Sequence, residues 1–424
     1  MLVSQNQTSI SPSKKKSKAK AKDLTHLSLF TGCGGMDIGI EGGFNIYAEA
    51  ISNSKWNEYV DEEISKGWVK VKETRFKTVF ANDIRSSAKA VYSSFYPDKA
   101  EHYKVGSIID LVKRHWDGET NIFPKNVDIL TGGFPCQDFS LAGKRMGFNS
   151  KKDHFGEKSE APTEENRGKL YIWMREVIDI VQPKIFIAEN VKGLISLGDA
   201  KDIIQKDFET IGEKGYLVLP ARVLHAGEFG VPQSRERVFF IGLNKQYLRK
   251  EALTALMKNE LSPEFSPFPE KTHSLEKNKY VSLKQAFKGL REPHQSKDPS
   301  HINYSKCKFY GNHCQGNREV DLNKIGPTIR SEHHGNIEFR RLSGKNGGKN
   351  SNELDKGLEQ RRLTPRECAR IQTFPDNYEF VIDNQNGRVS SSEAYKLIGN
   401  AVPPLLAYHL AKRIESLWEK LFKA

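Results

Sequence analysis

Residues 27–35 read LSLFTGCGG, a short apolar run that leads directly into a glycine-rich turn. The run Leu27–Phe30 predicts a β-strand, because it is short, apolar and bounded by turn residues. Glycines at the carboxyl end of a first strand let the backbone approach a bound molecule closely. The turn alone is a weak signal, because such turns also serve close packing and this one lacks the GxGxxG spacing of dinucleotide sites.

The first 245 residues continue this alternation of short apolar runs and amphipathic segments. The alternation predicts βαβ units around a mostly parallel sheet, and therefore an α/β, doubly wound domain. A helix is expected over Leu170–Val181, where apolar residues recur at helical spacing until Pro183 ends the run. Further strands are expected at Val79–Ala81, Val127–Leu130, Ile185–Ala188 and Val238–Ile241.

The amino-acid composition changes near residue 246, where Pro, Ser, Asn, Gly, Lys and His become the most frequent residues. Such a composition predicts a smaller, irregular lobe. Regular secondary structure is expected again from Leu363 onward. A last helix with one apolar face is expected at the end of the chain. We therefore expect a disordered basic tail over residues 1–23, a main domain over 24–245 that is completed by 392–424, and the smaller lobe over 246–391.

The net charge of +13 and the pI near 9.2 indicate a polyanionic partner, because lysine and arginine neutralise the phosphates of nucleic acids. Six of these charges are lysines of the tail, and without them the net charge is +7. Composition alone leaves open that the rest is an ordinary solvated surface. The sequence holds no run of about 20 apolar residues and no apolar signal segment, which favours an intracellular protein without a membrane partner.

The five cysteines are scattered and odd in number, so free thiols are expected rather than a disulfide framework. Cysteine and histidine do occur together within residues 307–314. That segment lacks the paired CxxC spacing of zinc modules, and we therefore expect no metal.

Five stretches carry reactive or charged side chains in or beside predicted elements. The strongest, GGFPCQDFS at 132–140, follows a predicted buried strand and contains Cys136. A cysteine in such a place is more often an inert core residue, but its thiolate can also serve as a nucleophile. The other four are ENV at 189–191, QSRER at 233–237, RLTPRECAR at 362–370 and AYKLIGNAVPP at 394–404.

In their order along the chain, the glycine turn and these five stretches resemble the motifs of the DNA (cytosine-5) methyltransferases. The resemblance runs from Leu27 to about Leu417 and does not cover the tail, an early insertion and much of residues 246–360. It implies a Rossmann-like S-adenosylmethionine-dependent methyltransferase domain, with a target-recognition domain in the smaller lobe. The implied activity is methyl transfer from S-adenosylmethionine to carbon 5 of cytosine in a specific double-stranded DNA sequence.

The resemblance also implies catalytic roles. The Cys136 thiolate would add to carbon 6 of a cytosine flipped out of the duplex, and this addition activates carbon 5. Glu189 would share a proton with ring N3, which requires burial to raise its pKa. Arg235 and Arg237, alternate residues of an extended segment, would point together toward the base and the thiolate, or else form ordinary salt bridges. The sequence does not reveal which base removes the carbon-5 proton.

For the cofactor, the resemblance places Phe30, Gly32, Gly34, Pro135 and Asn400 beside S-adenosylmethionine. This list lacks the acid that binds the ribose hydroxyls, which should end the second strand of the sheet.

Two acids compete for that role. Spacing from the glycine turn favours Glu49, whereas the surrounding residues, which resemble the second motif of the family, favour Asp83. We expect Asp83, and this choice makes roughly residues 47–77 an insertion. Ser107 stands where the family usually has an acid that contacts the adenine amino group. A serine can accept a hydrogen bond but carries no charge, so Ser107 either keeps that contact or is a turn residue.

The recognised DNA sequence cannot be derived from the chain. Residues 326–336, GPTIRSEHHGN, are the best candidate for base contacts, because arginine, asparagine and histidine can read major-groove edges. A polar surface turn is the alternative interpretation of this stretch.

Two rival functions remain. A tRNA-methylating relative typically has Pro-Pro-Cys-Gln where this chain has Phe134-Pro135-Cys136-Gln137, and a catalytically silent DNA-binding relative would not need an intact Cys136 and Glu189. We expect a monomer in the bacterial cytoplasm, associated with the nucleoid. The sequence leaves open whether a cognate restriction endonuclease acts separately beside it.

Overall fold

The computed structural model describes residues 22–135, 170–258, 261–276, 279–311, 313–331, 337–349 and 351–423. The strands are β1 (Leu24–Leu29), β2 (Asn45–Tyr47), β3 (Val60–Ser65), β4 (Trp68–Val71), β5 (Phe76–Asp83), β6 (Tyr103–Val105), β7 (Ile129–Gly133), β8 (Ile185–Val191), β9 (Tyr216–Val218), β10 (Arg222–His225), β11 (Glu236–Asn244), β12 (Phe339–Arg341), β13 (Arg361–Arg362), β14 (Ile382–Asn384) and β15 (Gly387–Val389). The α-helices are α1 (Gly35–Glu41), α2 (Trp56–Tyr59), α3 (Ser86–Phe95), α4 (Ile108–Trp116), α5 (Leu170–Val181), α6 (Ala200–Glu209), α7 (Lys250–Leu256), α8 (Leu283–Ala286), α9 (Pro299–Ile302), α10 (Ser351–Asp355), α11 (Pro365–Ile371), α12 (Ser391–Asn400) and α13 (Pro404–Leu421).

The main sheet has eight strands in the order β10-β11-β8-β7-β1-β5-β6, with β9 paired to β11. The strands β6, β5, β1, β7 and β8 are mutually parallel, and β11 runs antiparallel to β8. From β1 the chain first builds outward through β5 and β6, and then returns to the other side of β1 with β7 and β8. The predicted α/β, doubly wound fold with a mostly parallel sheet is therefore confirmed.

Helices cover both faces of this sheet. One apolar layer joins α1, α3 and α13, and a second joins α4, α5 and α6. In β8, Ile185 and Ile187 belong to the first layer, whereas Phe186 and Ala188 belong to the second. Because side chains alternate along a strand and both faces are covered, the first four residues of β8, Ile185–Ala188, must be apolar, as their sequence predicts.

Each strand expected from the sequence overlaps an observed strand, but the observed strands extend up to three residues beyond the expected bounds. Helix α5 spans the predicted residues, whereas β7 begins two residues later than the predicted start at Val127. The carboxylate of Asp128 accepts a hydrogen bond from the Thr25 backbone N–H, at 2.9 Å. A side chain therefore takes the place of a ladder bond where β7 would otherwise begin.

Residues between β2 and β4 form a separate three-stranded antiparallel sheet, in the order β2-β4-β3. Strand β5, which pairs directly with β1, starts only after this small sheet, at Phe76. The small sheet thus corresponds to most of the insertion expected over residues 47–77.

Between β11 and α12, the described residues form short helices and the two-stranded sheets β12-β13 and β14-β15. The first segment after β11 packs against the last helix, since the backbone N–H of Arg249 donates to the carbonyl of Leu421 at 2.9 Å. Helix α13 in turn packs against α1, where the backbone of Pro404 approaches Gly39 closely. The irregular texture expected from the sequence is observed, and the domain boundaries at residues 23, 245 and 391 remain predictions.

Candidate active site

The parallel strands of the main sheet end along one border, called here the carboxyl edge. Because β1 lies between the two halves of the sheet, ligands of such folds bind at this edge, where the strand order reverses. Strand β11 runs the opposite way, so it begins at the carboxyl edge, where Arg237 pairs with Val191 of β8. The sheet therefore brings the ends of β1, β5, β7 and β8 together with the start of β11.

The glycine-rich turn begins at Phe30, directly after β1. Phe30 has φ of 51°, Gly32 has φ of 55° and Gly34 has φ of 76°, so the chain adopts a positive φ three times within five residues. Such a conformation is uncommon for a residue with a side chain and marks a constrained turn. A Cβ on Gly34 would lie 2.7 Å from the ring of Tyr92, so only glycine fits there. The turn is thus fixed by both conformation and packing.

Asp83 is anchored to this turn. Its Oδ2 accepts a hydrogen bond from the Gly32 backbone N–H at 2.9 Å, and its Oδ1 accepts one from the Arg85 backbone N–H at 3.0 Å. Burial raises the pKa of Asp83 even though these bonds and the Arg85 charge oppose the shift. The hydroxyl of Tyr103 donates to the Gly32 carbonyl at 2.8 Å, which joins β6 to the same turn.

Glu49 lies elsewhere. It follows β2 in the small antiparallel sheet and forms an ion pair with Lys288 at 2.9 Å. Of the two acids proposed from the sequence, it is Asp83 that ends the strand next to β1 at the carboxyl edge.

Two apolar side chains beside Asp83 were not identified from the sequence. Ile84 is 37% exposed and Val105 is 45% exposed, and Val105 is the direct partner of Asp83 between β5 and β6. Exposed branched side chains at strand ends are a feature of ligand pockets, which are mostly apolar with a few polar groups. An isoleucine directly after a strand-ending acid was the available signal.

Ser107 is occupied by a structural task. Its hydroxyl accepts a hydrogen bond from the Ile109 backbone N–H at 3.2 Å and so caps the N-terminus of α4. Serine is among the preferred residues at this helix position, because it satisfies a donor that the helix leaves free. The sequence left open whether Ser107 contacts adenine or is a turn residue. The observed contact is that of a residue at the turn into α4.

The segment after β7 leads to the predicted nucleophile. Cys136 lies outside the described residues, and Pro135 is the last residue before it that the structure describes. The side-chain amide of Asn190 donates to the carbonyl of Phe134 at 3.2 Å, and its Oδ1 accepts from the Val191 backbone N–H. Asn190 therefore fixes the backbone two residues before Cys136 against the end of β8.

Glu189 lies next to the same segment. It is paired with Gly133 across β7 and β8, and a Cβ on that glycine would lie only 3.0 Å from Glu189 Oε2. Arg237 Nε forms an ion pair with Glu189 Oε1 at 3.0 Å. Burial raises the pKa of Glu189, although the positive charges of Arg237 and Arg235 oppose the shift. The site thus holds a carboxyl group that is easier to protonate than an ordinary glutamate.

Arg235 and Arg237 have different partners. Arg235 is 1% exposed, and its guanidinium donates to the backbone carbonyls of Ile329, Gly399 and Ala401 at 2.9–3.1 Å. Arg237 instead pairs with Glu189. The charges of both arginines act on Glu189, but only Arg237 is paired with it, whereas Arg235 binds two other segments of the chain. The common direction of the two arginines toward the base remains a prediction.

The end of α12 packs on the glycine-rich turn. The thiol of Cys33 lies 3.5 Å from the carbonyl of Leu397, and a Cβ on Gly35 would lie 2.4 Å from the carbonyl of Val402. Asn400, at the exposed end of α12, is thereby held next to the turn that carries Gly32 and Gly34. Cys368 is fully buried, and burial raises the pKa of its thiol well above the ordinary value, as suits a structural residue.

Of the remaining expectations, two concern what the chain lacks. Within the described part of the chain, Cys33, Cys307, Cys314 and Cys368 are free thiols, and no group of three potential metal ligands lies together. No described helix combines the length and apolar character needed to span a membrane.

The strand order of the main sheet and the glycine-rich turn after β1 define a Rossmann-like fold of the kind that S-adenosylmethionine-dependent methyltransferases have. The sequence profile of the C-5 cytosine-specific DNA methylases matches residues 24–416. The chain therefore belongs to the C-5 cytosine-specific DNA methylase family and is a DNA cytosine-5 methyltransferase.

Individual relatives agree with this assignment. The chain is 32% identical to the type II methyltransferase M.BspRI of Lysinibacillus sphaericus over 93% of its own length and 82% of the relative. It is 28% identical to the type II methyltransferase M.NgoPII of Neisseria gonorrhoeae, over 93% of its own length and 96% of the relative. The fold is similar to the crystal structure of the S. pombe Dnmt2 methyltransferase, with a TM-score of 0.54 and 18% identity over 94% of this chain and 99% of that one.

Proposed function

We propose that this enzyme modifies one cytosine within a specific double-stranded DNA sequence through a covalent adduct at Cys136, as the modification enzyme of a bacterial restriction-modification system. The observation that carries the proposal is the buried Glu189–Arg237 pair beside the segment that leads to Cys136. The similarity to bacterial type II methyltransferases supports the biological setting.

For the methyl donor, we propose a pocket at the carboxyl edge on the β1, β5 and β6 side. The backbone of Gly32 and Gly34 would approach S-adenosylmethionine, and Asp83 would accept hydrogen bonds from its ribose hydroxyls. Ile84 and Val105 would cover the apolar faces of its adenine ring. Phe30, Pro135 and Asn400 would complete the pocket. The bound donor supplies an electrophilic methyl group.

At the other side of the pocket we assign the chemistry to Cys136 and Glu189. The Cys136 sulfur forms a bond to carbon 6 of the flipped cytosine while Glu189 gives a proton to ring N3, and carbon 5 becomes nucleophilic. Carbon 5 then accepts the methyl group, and S-adenosylhomocysteine would remain as the leaving group. Loss of the carbon-5 proton to a base, with return of the N3 proton to Glu189, restores the double bond and expels the thiolate. The residues require no metal for these steps.

The raised pKa of Glu189 fits this role, because a carboxyl group must be protonated near neutral pH to give a proton to N3. Arg237 holds the carboxyl group in place and carries a positive charge next to the segment of the thiol. A nearby positive charge lowers the pKa of a thiol and favours the reactive thiolate. The two residues thus prepare the acid and the nucleophile together.

The other expectations follow from this setting. We propose that the enzyme works as a monomer in the bacterial cytoplasm on nucleoid DNA, with a cognate restriction endonuclease acting separately on the same site. Residues 326–336 remain the proposed base-reading element, and positions 332–336 of it lie outside the described residues. The structure describes Thr328, whose hydroxyl donates to the carbonyl of Ser234. Ser234 lies two residues before β11, the strand that carries Arg237 and is called here the catalytic strand.

The covalent mechanism can be tested with DNA in which the target cytosine is replaced by 5-fluorocytosine. Fluorine cannot leave as a proton, so the methylated adduct should remain attached to the enzyme and shift it on a denaturing gel. Cys136→Ser should abolish trapping and reduce turnover by roughly 10⁴-fold or more. Cys307→Ser, at a half-buried free thiol, is the matched control and should trap normally.

The substrate class is tested in the same experiment. Transfer of a labelled methyl group to DNA and to tRNA is measured in parallel, and we expect incorporation into DNA. An enzyme that methylates DNA without forming an adduct would refute the role of Cys136. Preferential labelling of tRNA would refute the proposed substrate, and transfer to neither would favour a catalytically silent DNA-binding protein.

A further inference from the structure

Arg235 lies where three segments of the chain meet. It directly precedes β11, the strand that carries Arg237, and its side chain is fully buried. One guanidinium nitrogen, Nη1, donates to the carbonyl of Ile329 at 3.1 Å. The other, Nη2, donates to the carbonyls of Gly399 and Ala401, each at 2.9 Å.

The contact with Ile329 belongs to a continuous seam between the catalytic strand and the proposed base-reading element. Gln233 Oε1 accepts a hydrogen bond from the Ile329 backbone N–H at 3.0 Å, so both backbone groups of this residue are held. The Ser234 backbone N–H donates to the carbonyl of Gly326 at 2.7 Å, and the Thr328 hydroxyl donates a hydrogen bond to the carbonyl of Ser234. The seam therefore fixes the register between these two segments.

The contacts with Gly399 and Ala401 enclose Asn400, the residue proposed for the cofactor pocket. The same turn is held from a second direction, because Gln372 Nε2 donates to the carbonyl of Ile398 at 2.8 Å. Gln372 Oε1 accepts in turn from Gln233 Nε2 at 3.0 Å. The backbone on both sides of Asn400 is thus tied to the segment that also holds the base-reading element.

We propose that Arg235 is a positioning residue that fixes Asn400 in the cofactor pocket and Ile329 in the base-reading element against the catalytic strand. The inference rests on the proposed function, which gives Asn400 and residues 326–336 their roles. Cofactor binding and base recognition are then coupled through one buried side chain, which touches neither the cofactor nor the base and positions the segments that do.

The chemistry of arginine explains why this position suits no other side chain. A guanidinium presents five N–H donors in a rigid planar fork, whereas a lysine ammonium has three donors on a flexible stem. Three backbone carbonyls from two separate segments are therefore held in one geometry by one group. A lysine would keep the charge near Glu189 but would leave buried carbonyls without a donor.

The test uses the full-length enzyme and the variant Arg235→Lys. We expect its dissociation constant for S-adenosylmethionine, measured by calorimetry, to rise about tenfold. The ratio of methylation rates on the preferred DNA site and on sites with one changed base pair should fall about tenfold. Arg237→Lys should instead lower kcat and leave the dissociation constant unchanged. This contrast separates a positioning residue from one at the reacting base.

A matched control measures the general cost of replacing a carbonyl-binding arginine. Arg413, on α13, donates to the carbonyls of Pro263 and Ser266 away from the site. Arg413→Lys should leave the affinity for S-adenosylmethionine and the site preference unchanged. All variants are compared at equal folded fraction, determined by circular dichroism.

A double-mutant cycle shows whether Arg235 acts through Asn400. Asn400→Ala alone should weaken S-adenosylmethionine binding about tenfold, and the double variant should bind no more weakly, because both changes remove the same contact. If the Arg235→Lys variant does not fold, Gln233→Met breaks the same seam and should raise the dissociation constant about threefold.

The outcomes are distinct. Independent effects, about a hundredfold in the double variant, or an Arg235→Lys enzyme that behaves like the Arg413→Lys control, would overturn the inference. A wild-type enzyme that does not bind S-adenosylmethionine would instead overturn the proposed function on which the inference rests.

Discussion

Glu189 at the active site and Glu367 in α11 are both buried glutamates held by an arginine, yet their pKa values shift in opposite directions. Burial raises the pKa of Glu189 above its ordinary value, and the charges of Arg237 and Arg235 do not reverse the shift. Burial acts on Glu367 in the same sense, but Arg361 outweighs it and lowers the pKa. The same pair of residue types thus goes with a raised glutamate pKa in one region and a lowered one in the other.

The difference comes from the number and geometry of the donors. Arg361 binds Glu367 with two parallel bonds, from Nη1 at 2.8 Å and from Nη2 at 2.9 Å, and the Thr364 backbone N–H adds a third at 2.9 Å. Arg237 reaches Glu189 through Nε, at 3.0 Å. Bidentate, charge-assisted bonds stabilise the ionised form more strongly. Burial therefore prevails at Glu189 but not at Glu367.

Glu367 is part of a larger network that stabilises the smaller lobe. Arg361 also pairs with Glu292, which Arg341 of β12 contacts as well. Burial raises the pKa of Glu292, but the hydrogen bonds and charges of both arginines prevail and lower it to about 2. The network joins β12, β13 and α11 by ion pairs in a region with little regular structure.

The substitution Glu189→Gln tests most directly whether Glu189 and Glu367 have different roles. Removal of the proton donor should lower kcat by about 10³-fold, within the usual range for general acid catalysis. The free energy of unfolding should change by less than about 1 kcal/mol, because the ionised form of Glu189 is not favoured by its site. Single-turnover methylation and urea unfolding measure the two effects. A large loss of stability with normal turnover would mean that Glu189 is a structural residue like Glu367.

The converse substitution is Glu367→Gln. Removing one partner of a buried, well-bonded ion pair typically costs about 3–5 kcal/mol, because it leaves the other charge uncompensated. We expect that loss in the free energy of unfolding, while kcat of the folded enzyme changes less than about threefold. The same two assays apply. An unchanged unfolding midpoint would contradict the structural role of the Arg361–Glu367 pair.

Asp83 sharpens the comparison, because its pKa is also raised although backbone donors hold it. If it binds the ribose hydroxyls, Asp83→Ala should weaken S-adenosylmethionine binding about 10- to 100-fold, the value of one or two charge-assisted bonds. Glu49→Ala removes only an exposed ion pair with Lys288 and serves as the control. Calorimetry of both variants decides between the acids, and a larger loss for Glu49 would reverse the alignment of the insertion.

The smallest expected effect is a pH dependence of opposite sign at two glutamates. Glu292 has a folded pKa near 2 against an ordinary value of 4.5, so its stabilisation is present above about pH 4.5 and is lost as the pH falls toward 2. Glu189 has a raised pKa, so the wild type should lose stability relative to Glu189→Gln as the pH rises above 4.5. The change in the free energy of unfolding with pH should be on the order of 1 kcal/mol for each of the two glutamates. Urea titrations between pH 3 and pH 7 measure both, and a common sign would refute the contrast.

Much of this architecture was already determined by local sequence. Short apolar runs bounded by turn residues predicted the strands at Leu27, Ile185 and Val238, because both faces of a covered parallel sheet must be apolar. The residues of the motifs and their order along the chain indicated the family, and the family match over residues 24–416 confirms it. Periodicity, turn chemistry and order are properties that the chain carries without its tertiary contacts.

Other features depended on contacts between distant parts of the chain. The sequence offered both Glu49 and Asp83 as strand-ending acids, and only strand pairing places Asp83 beside β1. Spacing indicated that Arg235 and Arg237 share a direction, but not that Arg235 would bind carbonyls more than 90 residues away. The pKa shifts of Glu189 and Glu367 likewise depend on burial and on donors from other segments. Local sequence determines which element a residue joins, whereas the environment of its side chain is set by non-local packing.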